Sequence, residues 1–307
     1  MSLQKTLEAP IHFSGIGLHH GEPVHLTLKP AAPNTGIVFS RVDHSHSEPT
    51  RAVLANVTSA TLSTTLGFNG STVNTVEHLL AAFAGVGIDN ALVEVDAPEI
   101  PILDGSAAPF VHKLKSVRTV LQEEEKKVVV IKDPITVRSG DKYIEAYPCD
   151  RLIVDYTIDF DHPVLDNQSR TFSFSYTSFE KEISSARTFC FLDDIKIMRA
   201  NGLAKGGSLE NAVVISDNGI VNKEGLRFPD EFVRHKILDF IGDLSLLGHR
   251  IIGYIKAYKS GHALNHDFLR EVLSQHNKWD LAKVVRLSDS YVFQRTSQSP
   301  FIPMQAQ

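Results

Sequence analysis

The stretch Pro229-Asp-Glu-Phe-Val-Arg-His-Lys-Ile-Leu-Asp-Phe-Ile-Gly-Asp-Leu-Ser-Leu-Leu-Gly248 predicts an amphipathic helix that opens near Pro229 and closes at Gly248. Its apolar residues recur along one arc at helical spacing: Val233, Ile237, Phe240, Ile241, Leu244 and Leu247. His235, Asp239 and Asp243 stack along a second face, one turn apart. A histidine nitrogen and a carboxylate oxygen at this spacing can bind one divalent metal ion. A metal site is therefore our first hypothesis.

A solvated polar face is the alternative interpretation of this stripe. The chain has 14 histidines and 36 acidic residues, so chance pairs at this spacing are expected, and several occur. Only the pair His235/Asp239 lies within a convincing helical pattern. Phe232 and Leu246 project among the polar residues, which favours a pocket wall over open surface. The residues alone leave both interpretations open.

The composition is that of an ordinary globular enzyme, with 42% hydrophobic and 22% charged residues among 307. The net charge of −5 gives no reason to expect nucleic acid or an anionic membrane surface as a partner. No apolar run approaches the roughly 18 residues of a membrane span, and no signal-peptide pattern opens the sequence. Two distant cysteines, Cys149 and Cys190, provide no disulfide framework. We expect a cytoplasmic, reduced monomer.

The strand and helix patterns divide the chain into two α+β halves. The charged sequence QEEEKK at 122–127 is the expected linker, which gives an N-terminal domain 1–123 and a C-terminal domain 128–307. Each half contains a helix with an early histidine, His78 or His235, followed by a glycine turn and an apolar strand. This repetition indicates a duplication, and it would place one histidine from each half at the interface between the domains.

Glu77-His78 is the second candidate site. One interpretation is structural, because Asn74-x-x-Glu77 resembles a capping box in which Glu77 folds back to the Asn74 backbone. The functional interpretation makes His78 a metal ligand and Glu77 a base that takes a proton from water at the metal. Catalytic zinc typically has three protein ligands and one open position.

Two further segments are candidates on weaker grounds. His262 is expected on the loop after an apolar strand, with Asn265 as the cap of the following helix. A single loop histidine is more often simply exposed than catalytic. The segment Ser185–Phe191 is apolar and aromatic apart from the Thr188 hydroxyl and, taken alone, predicts a buried strand.

Seven motifs in one order carry a resemblance to a known family. They are Gly15-Ile-Gly-Leu-His19, Thr75-Val-Glu-His-Leu-Leu-Ala81, Ile102-Leu-Asp-Gly-Ser106, Ile158-Asp-Phe-Asp-His-Pro163, Ala186-Arg-Thr-Phe189, His235-Lys-Ile-Leu-Asp239 with Asp243, and Ser260-Gly-His262. From residue 3 to about 285 the chain resembles the UDP-3-O-acyl-N-acetylglucosamine deacetylases, zinc amidases of lipid A biosynthesis in Gram-negative bacteria. The resemblance implies two similar domains, each a two-layer sandwich of helices on a sheet, with the active site between them.

The resemblance also implies roles for the site residues. His78, His235 and Asp239 would hold Zn²⁺, although such a donor set also suits Fe²⁺. Glu77 would be the general base, and the Thr188 hydroxyl would stabilise the oxyanion. His262 would supply a proton to the leaving amine, and Asp243 would keep His262 protonated. Lys236 would face polar groups of the substrate.

A nucleotide-sugar substrate with a fatty acyl chain is implied as well. The residues that match its contacts are Leu18, Leu62, Phe160, Phe189, Phe191, Ile195 and Lys259, with the segment 198–207 beside the acyl passage. Cys190 stands where the family usually has glycine, which puts the preferred acyl length in doubt. Two alternatives remain: a deacetylase of another N-acetylated sugar, and a non-catalytic module that binds a nucleotide sugar or an acyl chain.

Overall fold

The computed structural model describes residues 2–44, 48–68, 70–162, 165, 167–287 and 290–295. Met1 and residues 296–307, which the predicted domains include, lie outside the described residues, as does Pro163 of the fourth motif. Helices and sheets alternate along the described chain, and the predicted α+β class is confirmed.

The N-terminal part is built around a five-stranded sheet of order β2-β3-β9-β4-β5. Its strands and those around it are β1 Leu3–Leu7, β2 Ile11–Ile16, β3 Pro23–Pro30, β4 Ile37–Arg41, β5 Thr50–Arg51, β6 Val57–Ser59, β7 Thr65–Phe68, β8 Ser71–Val73, β9 Ala91–Val95 and β10 Thr119–Glu125. Its helices are α1 Glu77–Val86 and α2 Ala108–Ser116. Every second residue of β3, namely Val24, Leu26 and Leu28, is buried, because helices cover only one face of the sheet.

The charged segment 122–127 is extended rather than irregular. Residues 122–125 belong to β10, which pairs antiparallel with β1 near the chain start. Only Lys126 separates β10 from the next strand, which begins at Lys127. The predicted boundary between the domains therefore falls at a strand-to-strand step, and the division itself stays a prediction.

The C-terminal part contains an eight-stranded mixed sheet among the described residues. Its strands and helices are β11 Lys127–Ile131, β12 Ile135–Ser139, β13 Lys142–Tyr147, β14 Leu152–Ile158, β15 Gln168–Ser173, α3 Tyr176–Ser178, β16 Phe189–Phe191, α4 Leu192–Ala200, β17 Val213–Ser216, β18 Gly219–Ile220, α5 Glu231–Leu244, β19 Arg250–Tyr258, α6 His262–Ser274, β20 Trp279–Leu287 and β21 Ser290–Arg295. β19 is central: it pairs antiparallel with β13 and parallel with β14 and β11. β16, β17 and β18 form a separate small sheet beside α4.

The helix predicted over 229–248 is present as α5. After Leu244 it tightens into a 3₁₀ turn, Ser245–Leu247, and it ends at Gly248, whose φ of 74° lies in the left-handed region that glycine favours. Within Glu231–Leu244 all residues except Arg234 and Lys236 are buried, the polar stripe included. The alternative of a solvated polar face is therefore wrong.

Helices α1 and α5 pack against each other and join the two parts of the molecule. The contact is close at Gly242, where an added Cβ would lie 2.2 Å from the Glu77 carbonyl oxygen. Only glycine permits this approach, which brings the first turn of α1 beside the stretch of α5 between Asp239 and Asp243. None of the helices in the described ranges is long and apolar enough to cross a membrane.

Candidate metal-dependent active site

Three buried side chains from α1 and α5 converge where the helices meet. His78 comes from the first turn of α1, and His235 and Asp239 come from successive turns of α5. The Nε2 atoms of His78 and His235 each lie 3.4 Å from Asp239 Oδ1, and the two imidazole rings meet edge to face with centroids 5.0 Å apart. One ligand atom from each of the three residues falls within 4.8 Å of the others, as binding to a common metal ion requires.

The hydrogen bonds of Asp239 and His235 also fit a metal ion, independently of the spacing of these residues. Asp239 Oδ1 is buried and has no hydrogen-bond partner among the described residues, whereas Oδ2 accepts a hydrogen bond from Lys236 Nζ at 2.6 Å. His235 Nδ1 lies 3.1 Å from the Ala186 carbonyl, so it carries the proton and leaves the Nε2 lone pair toward Asp239 Oδ1. A buried acceptor that faces two imidazole nitrogens is costly unless a cation completes the group.

The electrostatics of the three α5 groups agree with this interpretation. Burial lowers the pKa of His235 to about 4, which keeps the imidazole neutral, the form that binds metals. Burial alone would raise the pKa of Asp239, but His235 and Lys236 together hold it well below its ordinary value. Burial likewise opposes charge on Lys236, and the neighbouring Asp239 outweighs it and raises the lysine pKa.

Glu77 opens α1 next to the three candidate ligands and is 3% exposed. The predicted capping box is absent: the Asn74 amide donates to the Pro98 carbonyl, and Val76, at the N-cap, makes no side-chain cap. Glu77 Oε2 instead accepts a hydrogen bond from the Thr64 amide at 3.1 Å. Burial raises the pKa of Glu77, which makes the carboxylate a better proton acceptor.

His262 completes the cluster from α6. The sequence placed it on a loop, but it is the first residue of the helix, after Gly261 at the N-cap, and Asn265 lies inside the helix rather than capping it. His262 Nδ1 lies 2.8 Å from Asp243 Oδ2, and its Nε2 lies 3.7 Å from Glu77 Oε1. Burial disfavours the charged imidazole, but Asp243 outweighs burial and raises the pKa of His262 to about 9.

A shell of polar side chains that the sequence pattern did not indicate surrounds Asp243. The Thr64 hydroxyl donates to Asp243 Oδ1 at 2.6 Å, and Asn265 Nδ2 donates to Oδ2 at 2.8 Å. His266 Nε2 approaches Oδ1 at 3.4 Å, and all three neighbours are buried. The one-turn spacing from His262 to His266 was a signal in the sequence, whereas nothing in the sequence singled out Thr64.

The segment around Thr188 reaches the cluster through the backbone. The Thr188 amide donates to the Gly105 carbonyl at 2.8 Å, and Ala186, two residues earlier, holds His235 through its own carbonyl. The fully buried strand predicted over Ser185–Phe191 is wrong, because only residues 189–191 form the strand, and they are half-buried. Because β16 is half-buried, Phe189 and Phe191 keep part of their surface exposed.

The residues matched to substrate contacts divide into two groups. Phe160 packs edge to face against Phe189 and Phe191, with ring centroids 6.0 and 5.7 Å apart, and the half-buried Leu18 and Ile195 keep part of their surface exposed. By contrast, Leu62 is 53% exposed and Lys259 pairs with two acids, Asp141 Oδ2 at 3.0 Å and Asp159 Oδ2 at 3.4 Å. The three phenylalanines thus form one cluster, which does not include Leu62 or Lys259.

A cavity of about 400 Å³ lies at the opposite end of the α1–α5 pair, between Leu80, Phe83 and Leu247. None of the candidate metal ligands lines it. Two of the cations in its wall are engaged, Lys126 with Asp89 at 2.8 Å and Arg250 with the Ala84 carbonyl at 2.9 Å. The chemistry therefore belongs to the polar cluster around Asp239 rather than to this cavity.

Two histidines and a carboxylate beside a second, proton-accepting carboxylate are typical of metal-dependent hydrolases. The sequence model of the family described as UDP-3-O-acyl N-acetylglycosamine deacetylase matches residues 4–274. The chain belongs to this family.

Curated relatives agree along nearly the whole chain. Proteins named UDP-3-O-acyl-N-acetylglucosamine deacetylase include one from Methylococcus capsulatus, 53% identical over 283 residues, covering 92% of this chain and 93% of the relative. Another, from Geotalea uraniireducens, is 50% identical over 284 residues, or 92% of each chain. A third, from Syntrophus aciditrophicus, is 46% identical over 291 residues, covering 95% of this chain and 92% of the relative.

Proposed function

We propose that this protein hydrolyses the 2-acetamido group of UDP-3-O-(3-hydroxyacyl)-N-acetylglucosamine and releases acetate, the committed step of lipid A biosynthesis. The substrate follows from the family and from the names of its relatives. The observation that carries the chemistry is the buried His78/His235/Asp239 set, whose Asp239 Oδ1 faces both imidazoles without a hydrogen-bond partner among the described residues. We further propose that the protein acts in the cytoplasm and as a monomer.

His78, His235 and Asp239 would hold the metal ion, which we assign as Zn²⁺, with Fe²⁺ compatible with the same donors. When bound, such an ion polarises a carbonyl group and lowers the pKa of water to about 7. Lys236 helps to prepare the set, since its bond to Asp239 Oδ2 turns Oδ1 toward the two imidazoles.

Glu77 is the general base in this proposal. Its Oε2 is occupied by the Thr64 amide, so Oε1 is the oxygen that accepts a proton from the attacking water. The water oxygen bonds to the acetamide carbon, and the carbonyl oxygen gains negative charge. The Thr188 hydroxyl would donate a hydrogen bond to this oxyanion.

His262 supplies the proton for the leaving group. With a pKa of about 9 the imidazole is charged at neutral pH, and its Nε2 lies 3.7 Å from Glu77 Oε1 and 4.0 Å from Asp239 Oδ2. As the bond from carbon to nitrogen breaks, the nitrogen takes the proton and leaves as an amine, while the former water oxygen becomes part of acetate. Asp243 holds the ring in place and stabilises its charge.

The aromatic cluster of Phe160, Phe189 and Phe191 is the part of the surface that would take the fatty acyl chain, together with Leu18 and Ile195. Leu62, exposed at its own turn, and Lys259, held by two acids, are the predicted outer contacts. Lys259 would have to exchange a carboxylate partner for a phosphate, which a flexible lysine side chain permits.

The test is acetate release from this substrate by the purified chain, before chelation, after chelation and after zinc is restored. We expect release to stop with the chelator and to return at about one zinc per chain. Glu77→Gln should bind zinc as the unaltered protein does and lose about 10²- to 10⁴-fold in kcat. A folded, zinc-loaded chain that releases no acetate contradicts the proposal, and other N-acetylated sugars then become the substrates to test.

A further inference from the structure

Thr64 touches groups from three helices although it belongs to none. It directly precedes β7, and its side chain is completely buried. Its carbonyl accepts a hydrogen bond from the Val76 amide at 3.3 Å, which ties it to the residue just before α1. Its remaining polar atoms face Glu77 on α1, Asp243 on α5 and two histidines of α6, His266 and, at 3.3 Å from the hydroxyl, His262 Nδ1.

The backbone of Thr64 orients the Glu77 carboxylate. The Thr64 amide donates to Oε2 at 3.1 Å, so this oxygen is turned into the protein. Oε1 is left on the side of His262 Nε2, 3.7 Å away. A carboxylate held by one oxygen presents its other oxygen in a fixed direction, which is what a general base needs.

The side chain of Thr64 orients the Asp243 carboxylate in the same way. An ionised carboxylate only accepts hydrogen bonds, so the hydroxyl proton points to Asp243 Oδ1, 2.6 Å away. Asp243 Oδ2 is thereby left for His262 Nδ1 and Asn265 Nδ2, each at 2.8 Å. The Thr64 oxygen still has lone pairs, and His266 Nε2 at 3.2 Å is placed to donate to one of them.

We propose that Thr64 is a positioning residue that couples Glu77 to the Asp243–His262 pair and fixes the direction of both proton-handling groups. The inference rests on the proposed function, because it assumes that Glu77 and His262 transfer the protons. It adds a connection between the two halves of the chain: one threonine from the N-terminal part holds a carboxylate of each half. If the two parts shift relative to each other, both groups lose their orientation together.

The test compares Thr64→Val, which removes the hydroxyl at nearly constant shape, with Thr64→Ser, which keeps it. For Thr64→Val we expect kcat to fall about 10- to 100-fold, because a hydrogen bond to a charged group is lost, with KM and bound zinc nearly unchanged. Thr64→Ser should remain within about threefold of the unaltered protein. Thr65→Val is the matched control, since Thr65 is the adjacent buried threonine and its side chain lies outside the hydrogen bonds of this cluster.

A double variant separates positioning from mere packing. If the hydroxyl acts through Asp243, Thr64→Val should cost little further kcat once Asp243→Asn is present. Additive losses, equal losses in Thr64→Ser, or a kcat for Thr64→Val equal to that of the unaltered protein would each overturn the inference. If Thr64→Val does not fold, Thr64→Ala removes the same hydroxyl without adding a methyl group against Asp243. If the unaltered protein itself releases no acetate, it is the proposed function that is wrong.

Discussion

Asp239 and Asp243 stand one turn apart on α5, both buried, yet their oxygens are used in opposite ways. Asp239 Oδ1 faces two imidazole nitrogens and has no hydrogen-bond partner among the described residues. Both oxygens of Asp243 are occupied, Oδ1 by the Thr64 hydroxyl and Oδ2 by His262 and Asn265. The first carboxylate is incomplete without a cation, whereas the second is complete within the protein.

Residue type and helical position do not by themselves decide what a carboxylate does in this site. Both acids belong to one helical stripe, and helical spacing alone does not distinguish them; only the resemblance to the family implied different roles. Their neighbours come from other elements: His78 from α1 meets Asp239, while Thr64 and α6 surround Asp243. The distinction between the proposed metal ligand and the proposed positioning acid is therefore made by tertiary structure.

Asp239→Asn should have the largest effect. The amide has nearly the same shape but carries no negative charge, so we expect zinc to be lost and acetate release to fall by more than about 10³-fold. Metal content measured by elemental analysis, alongside kcat, checks the expectation. Asp243→Asn is the matched control: it should retain about one zinc per chain while kcat falls about 10²-fold. Equal zinc loss in both variants would contradict the distinction between the two acids.

Gly242→Ala should have the second-largest effect. Gly242 lies between Asp239 and Asp243 on α5, and the substitution should displace both carboxylates. The new methyl group would lie 2.2 Å from the Glu77 carbonyl oxygen, forcing α1 and α5 apart. Alanine is favoured over glycine inside a helix by about 1 kcal/mol. Because overpacking should outweigh this gain in helix propensity, we expect the free energy of unfolding to fall by about 1–3 kcal/mol, measured by urea unfolding.

The same variant should release acetate about tenfold more slowly, since a small misplacement of catalytic groups is expensive. Gly261→Ala provides the control for added bulk, because its new Cβ would meet nothing within 4 Å. We expect the control to lose no more than about 1 kcal/mol of unfolding free energy, because alanine is a poorer helix N-cap than glycine but its methyl group meets no neighbour. If Gly242→Ala is instead more stable than the parent, the helices have room that the structure does not give them.

The sequence indicated the stripe on α5, and its repeated pattern indicated that His78 of the other half would lie near His235, but it did not reveal the polar groups that surround these residues. Spacing alone placed His235, Asp239 and Asp243 on one face of α5 because helical period is a local property. Glu77 was visible beside His78, but its role could not be separated from a capping box, since choosing requires the position of Thr64. The glycine before His262 resembles a turn and predicts a loop, whereas in the structure Gly261 is the N-cap of α6.

The pairing of strands in the sheets could not be predicted from the sequence either. Individual strands were recognisable from their alternation, as in β3, but the sequence could not show that β19 lies between β13 and β14. Such pairing joins residues far apart in the chain, and only the packed structure reveals it. The charged side chains of 122–127 predict a linker, yet an exposed edge strand such as β10 has the same composition.

Zinc addition to the metal-free protein should give the smallest effect and the most direct comparison of the two acids. A ligand that binds only the folded state stabilises it by about 2.7 kcal/mol at a hundredfold excess over Kd, which corresponds to several degrees in Tm. We expect this rise for the unaltered protein and for Asp243→Asn, whose candidate ligands are intact, and none for Asp239→Asn. Because Tm is measured without substrate, the comparison isolates metal binding from turnover. A full rise in Asp239→Asn would mean that the ion binds elsewhere, and Asp239 Oδ1, which has no hydrogen-bond partner among the described residues, would then need another explanation.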